Sequence, residues 1–298
     1  MFRAWAFIGV FVLACTGAHV AALADDRGDR LSQNAVGILA GEPEWLSRVQ
    51  NLALRLDHQD NIRILPIAGS GSIQALSDLA YLQGVDAALI AADTLTYAVA
   101  QGLIPAEKAK LAYVAQLSQL PVVLVARKEF KSLTSLAGRK ISTGPAQSAS
   151  FATGELLFGT FGIPFTRVAA SGEAAVLALK KGQVDAALLL GTEALRIGLD
   201  KKRYHVLNLP LPAALKTQYA AIQLSSEQLD GMAAVESIST TLTLAVFNWP
   251  KNSPRNTKLK RLAKLLFAES NPAIAADIAG WQRHSAAAQV LQDINKSN

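Results

Sequence analysis

The chain has 298 residues, a length that favours two domains or one large α/β unit. Hydrophobic residues make up 51% of the sequence and charged residues 17%, which excludes a disordered chain, a coiled coil or collagen, and the single cysteine, Cys15, excludes a disulfide scaffold. The net charge is only +6 and the basic residues are dispersed, so nucleic-acid binding is not expected.

The first 24 residues predict an export signal. Arg3 supplies a positive charge, an apolar run follows over Ala4–Leu13, and Ala22-Leu23-Ala24 offers the small residues that signal peptidase accepts. A lipoprotein attached through Cys15 and an uncleaved membrane anchor are the alternatives. Export and cleavage would leave a periplasmic protein without cysteine.

Strand and helix patterns alternate along the rest of the chain. Apolar runs predict strands over Asn34–Ala40, Ile62–Ile67, Val85–Ala91, Val122–Ala126, Arg139–Ser142, Arg167–Ala170 and Val184–Leu190. Helical spacing predicts helices over Glu44–Leu56, Ser72–Leu82, Asp93–Gln101, Phe151–Phe161 and Glu173–Lys181, and an amphipathic helix around 258–267. This alternation is typical of βαβ units and a mostly parallel sheet.

A short internal repeat indicates two similar α/β halves. The sequence Val-Asp-Ala-Ala-Leu occurs at 85–89 and again at 184–188, each time after a predicted helix and a glycine, Gly84 or Gly182. The glycine suits a helix C-cap, and the aspartate is interpreted as a strand-entry residue rather than a catalyst. Two such halves would form two lobes with a binding cleft where they meet.

Two loops of small residues each lead from a predicted strand into a predicted helix. In Gly69-Ser70-Gly71-Ser72 the backbone N–H groups can converge at a helix N-terminus, with Ser72 as the N-cap, an arrangement that receives carboxylate or phosphate. The loop Gly144–Ser150 is of the same kind and offers side-chain donors at Gln147, Ser148 and Ser150. For each loop an ordinary capping turn is the alternative.

Catalytic residues do not form a recognisable set in the sequence. The histidines beyond the export signal, His58, His205 and His284, are scattered and expected at the surface or in linkers, and the nucleophile-elbow and zinc-protease motifs are missing. The acidic residues Glu42, Glu44, Asp57 and Asp60 are expected to be solvated. Arg127, after a predicted strand, is a candidate cleft cation, with a surface arginine as the alternative. No enzyme activity, metal or cofactor is therefore expected.

The order of these segments resembles the solute-binding proteins of TAXI-type TRAP transporters, which have the periplasmic binding protein type II fold. The resemblance runs from Val36 to about Trp281 and rests on segments such as 36–41, Leu79–Asp93, Ser135–Lys140 and Ala245–Lys251. It implies a two-lobed α/β fold with mixed, mostly parallel sheets and a cleft between the lobes. The expected lobe I comprises residues 25–125 and 238–298, and the expected lobe II comprises 126–237.

The resemblance also implies a function and a site. The protein would be a monomer that closes on a small organic acid and passes it to a TRAP-type membrane permease. The residues expected to bind the ligand are Trp45, Ser70, Gly71, Ser72, Asp93, Arg127, Gln147, Ser148, Ser150 and Gly191.

The sequence departs from the family at several expected contacts. Alanine stands where polar residues are usual at Ala75, Ala91 and Ala92, and Glu42 and Glu44 replace small polar residues before Trp45. Each hydrogen bond lost to a charged ligand is worth about 1.5–3 kcal/mol. These departures predict a bulkier, more apolar acid, or a scaffold that has lost its ligand and serves as a periplasmic partner of a sensor or an oxidoreductase. An enzyme on the same fold is a third hypothesis.

Overall fold

The computed structural model describes residues 34–56, 59–104, 110–268 and 272–297. The predicted export signal, Cys15 and His58 lie outside these ranges. Ten strands form one sheet in the order β2 (Arg63–Ala68), β1 (Ala35–Ala40), β3 (Ala87–Ala91), β10 (Val235–Phe247), β4 (Leu111–Arg127), β7 (Ala186–Leu190), β5 (Lys140–Ser142) and β6 (Thr166–Val168). In addition, β8 (Tyr204–Val206) pairs with β4, and β9 (Ala220–Leu224) pairs with β10. The predicted mixed α/β architecture is confirmed. Within the described ranges no helix combines the length and the apolar character needed to cross a membrane.

Lobe I is the part of the sheet built on β1 (Ala35–Ala40), β2 (Arg63–Ala68) and β3 (Ala87–Ala91). β1 pairs in parallel with both neighbours, and β1 and β3 are almost entirely buried, which is why they appear as unbroken apolar runs. Its helices are α1 (Leu46–Leu56), α2 (Ser72–Tyr81), α3 (Asp93–Ala100), α6 (Pro254–Ala268) and α7 (Ser285–Ser297).

Lobe II is the part built on five shorter strands and two helices. The strands are β5 (Lys140–Ser142), β6 (Thr166–Val168), β7 (Ala186–Leu190), β8 (Tyr204–Val206) and β9 (Ala220–Leu224). The helices are α4 (Ala149–Thr160) and α5 (Gly172–Lys180). Here too the parallel strands β5, β6 and β7 are connected through helices.

Two long antiparallel strands connect the lobes. β4 (Leu111–Arg127) and β10 (Val235–Phe247) pair with each other over residues 111–122 and 238–247. β3 adds to the C-terminal part of β10, and β7 adds to the C-terminal part of β4, so each lobe is anchored at one end of the same strand pair. The sequence predicted only Val122–Ala126 of β4, because the polar stretch 116–119 interrupts the apolar run.

The aspartate of the internal repeat has a structural role in both lobes. Asp86 accepts the backbone N–H of Gly37 at 3.1 Å and pairs with Lys258 at 3.0 Å. Asp185 likewise accepts the N–H of Lys140 at 3.0 Å and tethers the start of β7. The interpretation as strand-entry residues is confirmed.

Arg127 is engaged at this strand entry and not in the cleft. Its guanidinium pairs with Asp185 and, at 3.2 Å, with Glu129, and it lines neither of two cavities that lie between the lobes. The expectation of a cleft cation was wrong because β4 ends beside the start of β7, where a half-buried carboxylate is the nearer partner.

Candidate functional site

A buried carboxylate, Glu42, joins the two lobes. It follows β1, and its side chain is only 3% exposed. Its Oε1 accepts the backbone N–H of Ser72 at 2.9 Å and that of Ala149 at 2.7 Å. Ser72 is the first residue of α2 in lobe I, and Ala149 is the first residue of α4 in lobe II. One carboxylate therefore binds the positive ends of two helices from opposite lobes.

The expectation that Glu42 is solvated was wrong. The segment after β1 forms a short 3-10 turn over Pro43–Trp45, in which the N–H of Trp45 donates to the carbonyl of Glu42. This turn places the Trp45 side chain in the core, at 3% exposure. The glutamate preceding it is thereby directed between the two helix ends instead of into water.

Burial also changes the acidity of Glu42. Its pKa is raised from 4.5 to about 7, chiefly by desolvation, while the hydrogen bond from the Ala149 N–H acts in the opposite direction. Near neutral pH the carboxyl group is thus distributed between its protonated and ionised forms.

A pH dependence of stability follows. Between about pH 4.5 and pH 7 the unfolded chain releases the Glu42 proton while the folded chain retains it, so the free energy of unfolding falls as pH rises. We expect this group to contribute a loss of about 3 kcal/mol across that window. In urea titrations, the wild type should show this fall in the free energy of unfolding, and Glu42→Gln should not. Glu44→Gln, which removes an exposed neighbouring carboxylate, should show the same fall as the wild type. Parallel pH profiles for the wild type and Glu42→Gln would contradict the assignment.

The backbones of the two predicted loops are in direct contact beside Glu42. The N–H of Ile73 donates to the carbonyl of Gln147 at 2.9 Å. A Cβ atom on Gly71 would lie 2.2 Å from that same carbonyl oxygen, so only glycine permits this approach. Gly71 and Gln147 therefore meet across the lobes through backbone atoms.

A second buried carboxylate, Asp93, makes another contact between the lobes. Asp93 lies at the start of α3 and is 1% exposed. Its Oδ2 accepts the hydroxyl of Thr153 at 2.6 Å and that of Tyr219 at 2.5 Å, both from lobe II. Burial raises the pKa of Asp93, and burial together with the neighbouring Asp93 raises that of Tyr219.

Apolar and ionic contacts complete this interface. The rings of Tyr97 and Phe151 meet edge to face, with centroids 5.5 Å apart. Arg48 of α1 pairs with Glu193 of lobe II at the rim, where both side chains are partly exposed and the pair is worth about 1 kcal/mol or less. Side-chain and backbone groups of the two lobes thus bind each other directly.

Two cavities lie between the lobes and share no lining residue. The larger has a volume of about 580 Å³ and extends from Glu42 and α1 to the carboxyl end of β7. The smaller, about 220 Å³, lies beside Asp93 and the middle of β4 and β10, and Gln116 and Gln119 are among its walls.

The residues expected to bind ligand are divided among these places. Trp45 and Ser150 line the larger cavity, and Asp93 lines the smaller one. Gly71, Ser72, Gln147 and Ser148 lie where the helix ends meet. Ser70 is exposed and lines neither cavity, and Gly191 is buried, with its N–H donating to the carbonyl of Pro121 at 2.8 Å.

The expected N-cap, Ser72, is not one, and the serine N-cap that the structure shows was not predicted. Ser148 is the N-cap of α4, and its Oγ accepts the N–H of Phe151 at 3.2 Å. Ser72 is not an N-cap, because α2 begins at Ser72 itself and Gly71 precedes it. At the departures from the family, Ala75 and Ala91 are core residues, while Ala92 borders the smaller cavity.

Three interface residues were missed in the prediction of the site. Glu42, Thr153 and Tyr219 were not among the candidates, although Glu42 occupies the position after a buried parallel strand where polar site residues commonly occur. That position was the available signal.

The described histidines lie away from both cavities. His284 was expected at the surface or in a linker but is fully buried, its Nδ1 accepts the N–H of Ala286 at 3.2 Å, and burial lowers its pKa to about 4. The ring of His205 contacts the carbonyl of Phe130 at 2.7 Å. Across the ranges that the structure describes, no three histidine, cysteine or acidic side chains are grouped as metal ligands would be.

One family model matches half of the chain. The model of the NMT1-like family matches residues 47–196, which include the first residues of α2 and α4 but not Glu42. The chain belongs to the NMT1-like family. No curated protein matches the sequence of this NMT1-like chain.

Solved structures are similar to this NMT1-like chain in fold. MatC from Rhodopseudomonas palustris with bound malate is 19% identical, and the alignment covers 88% of this chain and 97% of MatC with a TM-score of 0.50. The periplasmic VFT2 domain of BvgS from Bordetella pertussis is 14% identical over 89% of this chain and 97% of that domain, with a TM-score of 0.49. A TctC solute-binding protein from Polaromonas is 16% identical over 88% of each chain, with a TM-score of 0.48. The predicted two-lobed fold of periplasmic solute-binding proteins is confirmed.

Proposed function

We propose that this protein is a periplasmic solute-binding protein of a TAXI-type tripartite transporter, which holds a small solute between its lobes and delivers it to a TRAP-type permease. The observation that carries the proposal is the larger cavity, which has residues of both lobes in its walls. Its volume of about 580 Å³ suits a small organic molecule. Trp45, Leu189 and Leu190 give it an apolar wall, and polar residues form its rim.

The other parts of the proposal come from the sequence. Cleavage after Ala24 would release the protein into the periplasm. The cleaved chain would contain no cysteine, and we expect it to be a monomer. Lobe I would comprise residues 25–125 and 238–298, and lobe II would comprise 126–237. We expect binding and not catalysis, because the residues around the cavity offer no paired nucleophile and base.

In this proposal the solute enters the cavity from its rim, and the lobes do not have to close around an organic acid. Glu42 already occupies the place where two helix ends would receive the carboxylate of an acid. Pro43, Glu44, Glu173 and Glu193 on the cavity walls are exposed, so a solute can enter from the rim while Glu42 keeps the lobes together. A small organic acid is therefore less suited to this cavity than the resemblance implies.

Titration calorimetry on refolded protein tests the proposal. The panel would contain organic acids, amino acids, amines and sugars. Ala194→Trp, which places a large side chain in the cavity wall, should abolish the binding of any compound that the wild type binds. Ala174→Trp, at an exposed position outside the cavity, is the matched control and should bind normally. Absence of heat from every compound, or unchanged binding by Ala194→Trp, would contradict the proposal.

A second function is favoured by the contacts around Glu42 and Asp93. A chain whose own carboxylates join its lobes can serve as a rigid periplasmic partner of a sensor or an oxidoreductase. Affinity capture from membranes separates the two functions. Retention of a TRAP-type permease supports solute delivery, whereas retention of a receptor or an oxidoreductase in its place supports the partner role.

A further inference from the structure

We propose that the larger cavity selects a solute that carries a positively charged amino group on an apolar body. This inference rests on the proposed solute-binding function and names the class of solute. Three features of the cavity support it: the charges around the cavity, the helix ends that Glu42 and its neighbours occupy, and the apolar wall.

Carboxylates dominate the charged residues of the cavity. Among the described residues that line it, four are glutamates, Glu42, Glu44, Glu173 and Glu193, and one is a cation, Arg48. Arg48 is already paired with Glu193. Neither Glu44 nor Glu173 forms an ion pair within the described ranges. A cation entering the cavity therefore meets an excess of carboxylates over cations, and an anion meets repulsion.

The helix ends that would attract an acid are already neutralised. Glu42 binds the N-termini of α2 and α4, and the N-terminus of α5 borders the same cavity at Ser171 and Gly172. At α5 the carboxylate of Glu44 approaches from lobe I, with its Oε1 3.5 Å from the position that a Cβ on Gly172 would take. Glu173 adds a negative charge in the first turn of α5. These carboxylates already offset the partial positive charges of all three helix ends.

Glu42 also places a carboxyl group in the cavity wall. The residue is buried there, and its Oε1 accepts the backbone N–H groups of both helix ends. An ammonium group that enters the cavity would lie beside this carboxyl group, and a charge-assisted hydrogen bond between ammonium and carboxylate is stronger than one between neutral groups.

The rest of the wall suits an apolar body. Leu189 and Trp45 are buried, and the indole is the side chain that best favours a nearby cation through its ring face. A purely polar cation would leave this surface uncovered. The combination points to aromatic or branched amines.

Calorimetry with three matched probes tests the inference. Phenethylamine, 3-phenylpropionate and 2-phenylethanol share an aromatic body and differ in charge, and isopentylamine, agmatine and putrescine extend the amine series. We expect phenethylamine to bind at least about tenfold more tightly than 3-phenylpropionate. Glu44→Gln and Glu173→Gln should each weaken amine binding about fivefold to tenfold and leave 2-phenylethanol unaffected. Glu227→Gln, an exposed carboxylate outside the cavity, is the control.

The possible outcomes distinguish this inference from the proposed function. If acids or neutral compounds bind as tightly as the amines, or bind when no amine does, the cationic solute class is wrong and solute binding stands. Equal amine affinity in the wild type and both glutamine variants would likewise overturn the inference. If no compound from either panel binds, both the inference and the proposed function are overturned.

Discussion

Replacing Glu42 with alanine is expected to lower the free energy of unfolding by about 2–4 kcal/mol and to separate the lobes. The substitution removes the shared acceptor of the Ser72 and Ala149 N–H groups, and an unpaired buried donor costs about 1–3 kcal/mol. Without the common acceptor, the two helix ends lose the contact that draws them to one point, and water can enter the space between them. Urea denaturation at about pH 6 measures the first effect, and the radius of gyration from small-angle X-ray scattering measures the second.

Glu42→Gln is the matched control for that experiment. Its side-chain carbonyl can accept the same two N–H groups, so compactness should be preserved. Working below the raised pKa ensures that the alanine variant gains little from losing a buried charge. An alanine variant as stable and as compact as the wild type would show that Glu42 does not hold the lobes together.

Replacing Asp93 with alanine is expected to destabilise the protein by a similar amount, about 2–4 kcal/mol. The hydroxyls of Thr153 and Tyr219 both donate to one Asp93 oxygen in a buried setting, and alanine would leave both without that acceptor. Tyr219→Phe removes one donor and should cost less, about 1–2 kcal/mol. The double variant should lose less free energy of unfolding than the sum of the two single losses, because both substitutions remove the same contact.

The measurement is a double-mutant cycle from urea titrations. Asp93→Asn is a useful companion, since it keeps one acceptor oxygen and removes the charge whose burial raises the pKa of Asp93. Strict additivity of Asp93→Ala and Tyr219→Phe would contradict the hydrogen bond between them.

Strands with both faces buried were predicted closely because they are unbroken apolar runs. β1, β3 and β7 are covered on both sides, each is parallel to at least one neighbour, and the predicted runs end within two residues of the observed bounds. The edge strands β8 and β9 were not predicted because they are short and partly exposed. The first half of β4 was missed because Gln116 and Gln119 border the smaller cavity and not the core.

The candidate site was only partly predictable for a physical reason. Loop composition located the two helix ends, since small residues before a helix are a local signal. The burial of Glu42 is a long-range property, because it depends on Ala149, which lies 107 residues further along the chain. No local pattern separates such a glutamate from the exposed Glu44 two residues later. The role of Arg127 was misjudged likewise, since its partner Asp185 is brought close only by the pairing of β4 with β7.

Glu42 connects the fold to the proposed function. The pair β4 and β10 brings two lobes together, the lobes direct two helix ends at one point, and Glu42 occupies that point. What remains for a solute is the cavity beside it, whose charge is set by this and neighbouring carboxylates.

The most direct measurement follows the amide resonances of Ser72 and Ala149 by NMR as pH is varied. If one carboxylate binds both, the two signals from opposite lobes will shift together with a single midpoint near pH 7, and Glu42→Gln will abolish both shifts. Separate midpoints, or shifts that persist in Glu42→Gln, would mean that no common carboxylate connects the lobes.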